Sequence, residues 1–309
     1  MSTIAIVMAT YNGEKYVDEQ IESILASTYR DIELYIFDDG SRDNTLELLR
    51  NYERQYPDTV HVFQNERNLG HAMNFIHALS RTTTDYVMFC DQDDVWKNHK
   101  VAITLKRMRH MEAQLGKDKP LTVFTDAAVV DENLKMLKQS FFCSSHLNPC
   151  RTDLPHLLME NKLIGCTVMV NSALRKVLQS KPLPQHARYH DWWVALIASA
   201  FGKIGYVRES TLLYRQHGNN VVGDTGFLSY VINRIANLQK QREALEALYR
   251  QADEFLQLYK DMLPEEKQEI LAQFASMKEK SILERRILIF RYGFWKTGLL
   301  RNIGLLFII

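Results

Sequence analysis

Several features are scarce in this 309-residue chain, and each absence excludes a class of protein. The formal net charge is only +1, so the bulk electrostatic attraction behind non-specific nucleic-acid binding is missing and we expect no nucleic-acid partner. The four cysteines form no C-x-x-C pair, which argues against a structural zinc site. No apolar run approaches the roughly 20 residues of a membrane-spanning helix, and we expect no signal peptide at the start of the chain. We therefore expect a cytoplasmic protein.

The first half of the chain alternates short apolar runs with helical periodicity. Strand-like runs begin at Ile4, Leu34, Val60 and Tyr86, and between them apolar residues recur three and four positions apart. This alternation predicts an α/β fold with a Rossmann-like, mostly parallel sheet and helices on both faces. A later apolar run, Gly165 to Val170, predicts a further strand, and the polar segment from Lys138 to Pro155 predicts an irregular loop.

The last third of the chain has a different character. From residue 227 onward helical periodicity dominates and strand signals nearly disappear. We place a boundary near Asp224. The prediction is an α/β domain over residues 1–224 and a helical region over residues 225–309.

The tail from Ile282 to Ile309 mixes basic side chains with large apolar ones. Only Glu284 opposes its positive charge. The basic residues of the tail are Arg285, Arg286, Arg291, Lys296 and Arg301. Such a mixture is typical of a helix that lies on an anionic membrane surface, so we expect a peripheral location on the inner face of the cytoplasmic membrane. The alternative is a terminal helix packed on its own domain or on a second subunit, which leaves a homo-oligomer open.

Acidic residues follow two of the predicted strands where each strand ends. Asp38 and Asp39 follow the second strand, and Asp91, Asp93 and Asp94 fall within four residues after the fourth. Carboxylates this close repel one another unless a positive charge lies between them, and a hard divalent cation would supply it. The alternative is a solvated acidic turn. In an open parallel sheet, both groups border the crevice in which ligands bind.

A nucleoside diphosphate would suit this crevice, which also contains the turn from Thr10 to Gly13. Asp39 could accept hydrogen bonds from a base, and Tyr11 could stack on it. A cation held by Asp93 could neutralise the charge on a leaving diphosphate.

A reaction of this kind needs a base to activate the incoming nucleophile. Asp191 stands at the start of an apolar helix, where it is either that base or an N-cap. His217 lies in a polar turn after Arg215, a setting that suits contact with phosphate or metal, although a lone histidine is more often structural.

A second interpretation of the acidic cluster is a phosphatase. The stretch from Asp91 to Val95 fits the D-x-D-x-[T/V] pattern of the haloacid-dehalogenase-like phosphohydrolases. In them the motif follows the first strand of the core, whereas here three strand–helix units precede it. The order argues against this alternative.

Four motifs in sequence order resemble those of the inverting family 2 glycosyltransferases of the GT-A fold. They are Ala9-Thr-Tyr-Asn-Gly13, Asp38-Asp-Gly-Ser41, Asn65-Glu-Arg-Asn-Leu-Gly70 and Asp91-Gln-Asp-Asp-Val-Trp96. Two further stretches, His190 to Trp193 and Tyr214 to Val221, resemble the rhamnosyltransferases that build bacterial rhamnan and O-antigen chains. The resemblance covers roughly residues 3 to 224.

This resemblance implies a metal-dependent sugar transfer, with Mg²⁺ or Mn²⁺, from a nucleotide-sugar donor. The implied donor is dTDP-L-rhamnose, with glucose, galactose or their N-acetyl forms as alternatives. The implied acceptor is a hydroxyl of a lipid-linked or growing cell-surface polysaccharide. A sugar-nucleotide-binding scaffold without turnover is an alternative from another class of protein.

The resemblance also implies roles for particular residues. The nucleotide sugar would contact Thr10, Tyr11, Asn12, Asp39, Asn68, Gly70, Asp91 and Gln92. The metal would lie against Asp93 and His217, Asp191 would be the catalytic base, and Gly165, Cys166 and Trp192 would lie near the acceptor. Where the family has Glu-Asp at the base, this chain has His190-Asp191, so the charge beside the base differs.

Overall fold

A mixed sheet of nine strands dominates the part of the chain that the computed structural model describes, residues 2–217 and 238–309. The strands are β1 (Ile4–Thr10), β2 (Ile32–Asp38), β3 (Val60–Gln64), β4 (Tyr86–Cys90), β5 (Val95–Trp96), β6 (Leu121–Val130), β7 (Met136–Lys138), β8 (Met169–Asn171) and β9 (Lys203–Arg215). Their order in the sheet is β3-β2-β1-β4-β8-β6-β9-β5, and β7 pairs with β6.

Strands β1 to β4 form a parallel block with β1 in its interior. β1 pairs in parallel with β2 and β4, and β2 pairs in parallel with β3. β4 is buried along its whole length, as its continuous apolar run requires when helices cover both faces of a sheet. β8 is antiparallel to β4 and β6, and β5 is antiparallel to β9. The mostly parallel α/β sheet predicted from the sequence is confirmed.

The chain divides into two compact units, and the first contains the sheet. This unit comprises Met1–Phe141, Leu163–Leu183 and Tyr189–Gly218. Its helices are α1 (Val17–Leu25), α2 (Thr45–Gln55), α3 (His71–Arg81), α4 (Lys100–Leu115), α7 (Ser172–Gln179) and α8 (His190–Phe201). Several of them bury apolar side chains three and four positions apart, as Val17, Ile21 and Ile24 do in α1.

The second unit is helical and comprises Phe142–Lys162, Pro184–Arg188 and Asn219–Ile309. Its helices include α6 (Leu154–Met159), α9 (Leu238–Tyr259), α10 (Glu265–Ala275), α11 (Ile282–Tyr292) and α12 (Leu299–Ile308), while α5 (Phe141–Ser145) lies at the division. Buried aromatic rings hold its core together, among them Phe274, which meets Tyr249 and Phe294 edge-on. The predicted helical C-terminal region is confirmed, whereas the predicted boundary near Asp224 lies outside the described residues.

Two local expectations from the sequence are wrong. The run from Gly165 to Val170 is not one strand: residues Gly165–Thr167 form a 3₁₀ turn, and β8 begins at Met169. The segment 138–155, expected to be irregular, contains α5 and the start of α6, whose first turn is capped by the Asp153 side chain. No helix among the described residues has the length and apolarity needed to cross a membrane.

Candidate active site

The turn that follows β2 is anchored by the buried carboxylate of Asp39. Its two oxygens accept hydrogen bonds from the Asn65 side-chain amide and from the backbone N–H groups of Leu69 and Gly70, each at 2.8 Å. The Asn68 side chain donates to the Asp39 backbone carbonyl at 2.9 Å. Asp39 therefore fixes the loop that leads into α3, and it brings the predicted donor-site residues Asn68 and Gly70 together.

The loop after β1 is tied to the acidic motif by Gln92. The Tyr11 N–H donates to Gln92 Oε1 at 2.9 Å, and the Gln92 amide donates back to the Tyr11 carbonyl at 3.2 Å. The Thr10 carbonyl accepts the Asp39 N–H at 2.8 Å. Asn12 has φ of 49°, a left-handed conformation that asparagine tolerates. The Tyr11 side chain is 44% exposed, so its ring is accessible to a ligand.

The acidic motif after β4 combines three carboxylates in different electrostatic states. Burial disfavours the charged form of Asp91, but the hydrogen bond and charge of His71 outweigh that effect and hold the pKa of Asp91 below its usual value. Burial and the charge of Asp91 raise the pKa of Asp93, although His217 opposes the shift from 2.9 Å. Burial and both neighbouring carboxylates raise the pKa of Asp94 well above its usual value.

The end of β9 supplies the positive side of this motif. The Arg215 guanidinium Nε donates to the Asp93 carbonyl at 2.8 Å, and the Arg215 backbone N–H donates to Asp94 Oδ1 at 3.0 Å. The Tyr16 ring stacks on the His217 imidazole with centroids 5.0 Å apart, and the Arg215 guanidinium lies 4.6 Å from the centre of the Tyr16 ring. The short antiparallel pair of β5 and β9 holds these contacts in register.

Asp191 lies in the first turn of α8, beside a histidine in an apolar setting. The His190 ring is stacked on Phe75 with centroids 3.9 Å apart, and neither of its nitrogens has a hydrogen-bond partner among the described residues. Burial lowers the pKa of His190 well below its usual value, so it is neutral beside Asp191 at pH 7. Gly165 leaves room for this ring, since a Cβ there would lie 2.8 Å from His190 Cε1. Trp192 and Asp191 are both buried.

A buried lysine lies behind the acidic motif. The Lys100 ammonium donates to the Cys166 carbonyl at 2.8 Å and lies 4.5 Å from the centre of the Trp96 ring. Burial lowers the pKa of Lys100 to about 8. Burial also raises the pKa of the Cys166 thiol well above its usual value, so that thiol stays protonated at neutral pH. The predicted acceptor residue Cys166 is thus held at the acidic motif by the hydrogen bond from Lys100.

His71 brings the donor side and the base side of the site together. Its Nε2 atom is 3.3 Å from Asp91 Oδ1. Burial opposes protonation of His71, but Asp91, Asp191 and Asp93 together raise its pKa above the usual value. The carboxylates that the sequence assigned to donor, metal and base therefore all act on one imidazole.

The residues at this site fit a hard divalent cation. Ligand atoms of Asp91, Asp94 and Cys166 all lie within 4.8 Å of one another, and Asp93 pairs with the His217 imidazole close by. Carboxylate oxygens are the ligands that Mg²⁺ and Mn²⁺ prefer, whereas a protonated thiol is a poor ligand for either. The donor set therefore suits Mg²⁺ or Mn²⁺ better than a thiophilic metal.

Comparison with known proteins decides the family. The sequence profile of glycosyl transferase family 2 matches residues 5–126, which include the turn after β1, the Asp39 turn and the acidic motif. The dTDP-rhamnosyl transferase RfbG of Shigella flexneri is 27% identical over 228 residues, which cover 70% of this chain and 73% of that protein. The chain is a family 2 glycosyltransferase. This assignment excludes the phosphohydrolase interpretation of the acidic motif.

Solved structures of glycosyltransferases have the same fold as this chain. S. aureus TarS 1-349 in complex with UDP-GlcNAc superposes with a TM-score of 0.58 at 16% identity, covering 94% of this chain and 79% of that one. The mannosyltransferase PcManGT of Pyrobaculum calidifontis, in complex with GDP-Man and Mn²⁺, gives a TM-score of 0.52 at 16% identity over 99% of this chain and 78% of its own. The GT-A fold predicted from the sequence is confirmed.

Two residues of the candidate site, His71 and Lys100, were not predicted from the sequence. His71 follows a glycine at the start of an amphipathic helix, and Lys100 begins another helix; neither position carries a motif of its own. Their importance appears only when the sheet brings β4, α3 and α8 together.

Proposed function

We propose that the protein is a metal-dependent, inverting glycosyltransferase that moves L-rhamnose from dTDP-rhamnose to a hydroxyl of a lipid-linked or growing cell-surface polysaccharide. The observation that carries the proposal is the acidic motif after β4, where Asp91 lies 3.3 Å from the His71 imidazole and Asp93 lies 2.9 Å from the His217 imidazole, within the part of the chain that matches the family 2 profile. The dTDP-rhamnosyl transferase among its relatives supports rhamnose as the sugar.

The proposed donor site uses the loops after β1 and β2. Tyr11 stacks on the base, while Asp39 borders the nucleotide and holds the loop of Asn68 and Gly70 against it. Asp93 and His217 would hold a divalent cation, which would supply Lewis-acid stabilisation of the negative charge on the diphosphate. Gly165, Cys166 and Trp192 border the acceptor in this proposal.

Asp191 is the proposed base. Its carboxylate takes the proton from the acceptor hydroxyl as the oxygen attacks the anomeric carbon. The bond from that carbon to the diphosphate breaks on the opposite face, which inverts the anomeric configuration. The neutral His190 beside it adds no positive charge that would weaken the base.

A donor panel tests the activity. Nucleoside diphosphate release is measured with dTDP-rhamnose, UDP-glucose, UDP-galactose and UDP-GlcNAc, each with Mn²⁺, Mg²⁺ or a chelator and a lipid-linked acceptor. We expect turnover with dTDP-rhamnose that the chelator abolishes. Asp191→Asn should lose about 10²–10⁴-fold in kcat because a general base contributes that much, yet the donor should still raise its Tm. The exposed Asp58→Asn is the matched control.

Each other outcome has a definite meaning. Preference for another sugar would refute rhamnose and leave the transferase intact. A donor that stabilises the wild type without any release of nucleoside diphosphate would favour the binding scaffold. Full activity in Asp191→Asn would remove Asp191 from the role of base.

The proposed location is the inner face of the cytoplasmic membrane, and α11 supports it. This helix buries Leu288 and Ile289 in the second unit. On its outer side Leu283, Ile287 and Phe290, spaced four and three positions apart, are 69%, 55% and 67% exposed. The helix is therefore apolar on two opposite sides, which packing within the unit alone does not require.

Helix α12 also carries exposed apolar side chains. Leu300, Ile303 and Phe307 are 58%, 43% and 78% exposed along one stripe. The Arg286 side chain, next to the outer stripe of α11, donates two hydrogen bonds to the Leu306 carbonyl, at 3.1 and 2.9 Å, and so links the two helices. A large apolar surface beside arginines fits a layer of anionic lipid headgroups better than it fits water.

Vesicle binding tests this location. The double variant Ile303→Glu and Phe307→Glu should bind phosphatidylglycerol vesicles at least about 100-fold more weakly than the wild type, because each buried apolar side chain contributes about 1.5 kcal/mol or more. Met136→Glu with Leu137→Glu, which replaces two other exposed apolar residues, on β7, is the control. Unchanged sedimentation with vesicles would contradict the proposal. A drop in solution mass in the double variant would instead assign the surface to a second copy of the chain.

A further inference from the structure

His71 has a position that no sequence motif assigns to it. It is the first residue of α3, directly after Gly70, whose φ of 78° turns the chain into the helix. The Gly70 N–H donates to Asp39 Oδ2 at 2.8 Å, so the carboxylate that anchors the donor loop also fixes where His71 begins the helix. The histidine is thus held by the backbone of the predicted nucleotide site.

The imidazole of His71 forms the accessible edge of a buried aromatic group. Its ring meets Phe75 edge-on at 5.2 Å, and it lies 5.4 Å from the His190 ring. Phe75 and His190 are buried, whereas the His71 side chain is 40% exposed. Packing on the buried rings restricts the imidazole to one orientation while leaving part of it open to a ligand.

His71 lies between the two chemical ends of the site. On one side its Nε2 contacts Asp91 Oδ1 at 3.3 Å. On the other side its ring centroid lies 5.4 Å from that of His190, the residue directly before Asp191 in the first turn of α8. In the proposed reaction, the diphosphate lies at Asp93 and the anomeric carbon faces Asp191. A side chain within range of both ends lies beside the sugar that joins them.

We propose that His71 is a positioning residue that holds the transferred sugar by a hydrogen bond to one of its ring hydroxyls, with Asp91 orienting the imidazole. The inference rests on the proposed function and deepens it, because it names a contact that selects the donor sugar rather than the nucleotide. A site that is built to pair a substrate hydroxyl discriminates strongly against donors that lack it.

Two substitutions separate this role from a structural one. His71→Phe keeps a ring on Phe75 and removes the hydrogen bond, while His71→Gln keeps a hydrogen-bonding group without the ring. We expect His71→Phe to lower kcat/KM for the donor about 10- to 100-fold, the loss typical of a hydrogen bond to a well-held polar group, and His71→Gln to recover most of it. Nucleoside diphosphate alone should inhibit both variants as strongly as it inhibits the wild type.

His99 offers a matched control. It is also a histidine in the first unit with a 40% exposed side chain and a carboxylate partner, Glu209, at 2.6 Å. His99→Gln should leave kcat/KM unchanged. Deoxy donors, each lacking one ring hydroxyl, complete the test: with the analogue that lacks the contacted hydroxyl, His71→Phe should transfer as well as the wild type.

The outcomes distinguish this inference from the function on which it rests. If His71→Phe transfers sugar from the natural donor as fast as the wild type does, the inference is overturned and the proposed function is not. If inhibition of His71→Phe by nucleoside diphosphate weakens as much as its kcat/KM falls, the inference is also overturned, because His71 would then support the nucleotide loop. Absence of transfer by the wild type with every donor would overturn the inference and the proposed function together.

Discussion

Replacing Asp39 by asparagine should weaken the fold of the first unit measurably, even without any ligand. The carboxylate accepts three hydrogen bonds at 2.8 Å from one loop, through the Asn65 amide and the N–H groups of Leu69 and Gly70. An asparagine has one acceptor oxygen, so its own NH₂ group would face a buried donor. Hydrogen bonds to a charged group contribute about 1.5–3 kcal/mol each. Losing one and weakening the others should therefore reduce the free energy of unfolding by about 2–4 kcal/mol.

Thermal unfolding without nucleotide measures this effect. For a domain of this size the loss corresponds to a fall in Tm of roughly 5–15 °C. Asp58→Asn removes the same charge at an exposed position and should leave Tm unchanged. If Asp39→Asn unfolds at the wild-type temperature and loses only nucleotide affinity, the carboxylate binds the nucleobase and does not stabilise the fold, which would refute the prediction.

Three further predictions concern other parts of the molecule. Gly165→Ala should reduce kcat at least about 10-fold, because the added methyl group displaces the His190 ring next to the base; unchanged steady-state kinetics would contradict it. Arg215→Met should weaken Mn²⁺ binding measured by calorimetry, because the guanidinium holds the Asp93 backbone carbonyl within the acidic motif. A variant that binds Mn²⁺ as tightly as the wild type would refute this. Burial disfavours the Glu160 carboxylate, but Lys162 outweighs that effect and lowers its pKa. The stability that Glu160 adds to the second unit should thus be present above about pH 4.5 and be lost as the pH falls through the lowered value, as followed by circular dichroism. In Glu160→Gln this acid-dependent loss should disappear; a variant that retains it would contradict the assignment.

The sequence was sufficient to predict the parallel block and the positions of its acidic turns. Apolar runs of strand length end at Asp38 and at Asp91, and in a parallel sheet such ends meet at one edge. The partners of these carboxylates could not be predicted. Nothing local indicates that Asp39 would bind the backbone of Leu69 and Gly70, since that contact depends on where a separate loop crosses the sheet edge.

Local sequence patterns gave wrong predictions where contacts in the buried interior determine the conformation. Gly165 to Val170 has the composition of a strand, yet its first residues turn because Gly165 must approach the His190 ring and because the Cys166 carbonyl turns toward the buried ammonium of Lys100. From the sequence alone, Lys100 would be expected on the exposed face of a helix. Its burial follows from packing between α4 and the acidic motif, which only the assembled sheet determines.

The hydrogen bond between His217 and Asp93 joins residues 124 positions apart. A nascent or truncated polypeptide that stops short of β9 contains every acidic residue after β4, yet it lacks the imidazole and the guanidinium that complete their surroundings. In such a fragment the three crowded carboxyl groups would repel one another whenever they are ionised. The proposed cation site therefore becomes complete only late in synthesis, when β9 is added.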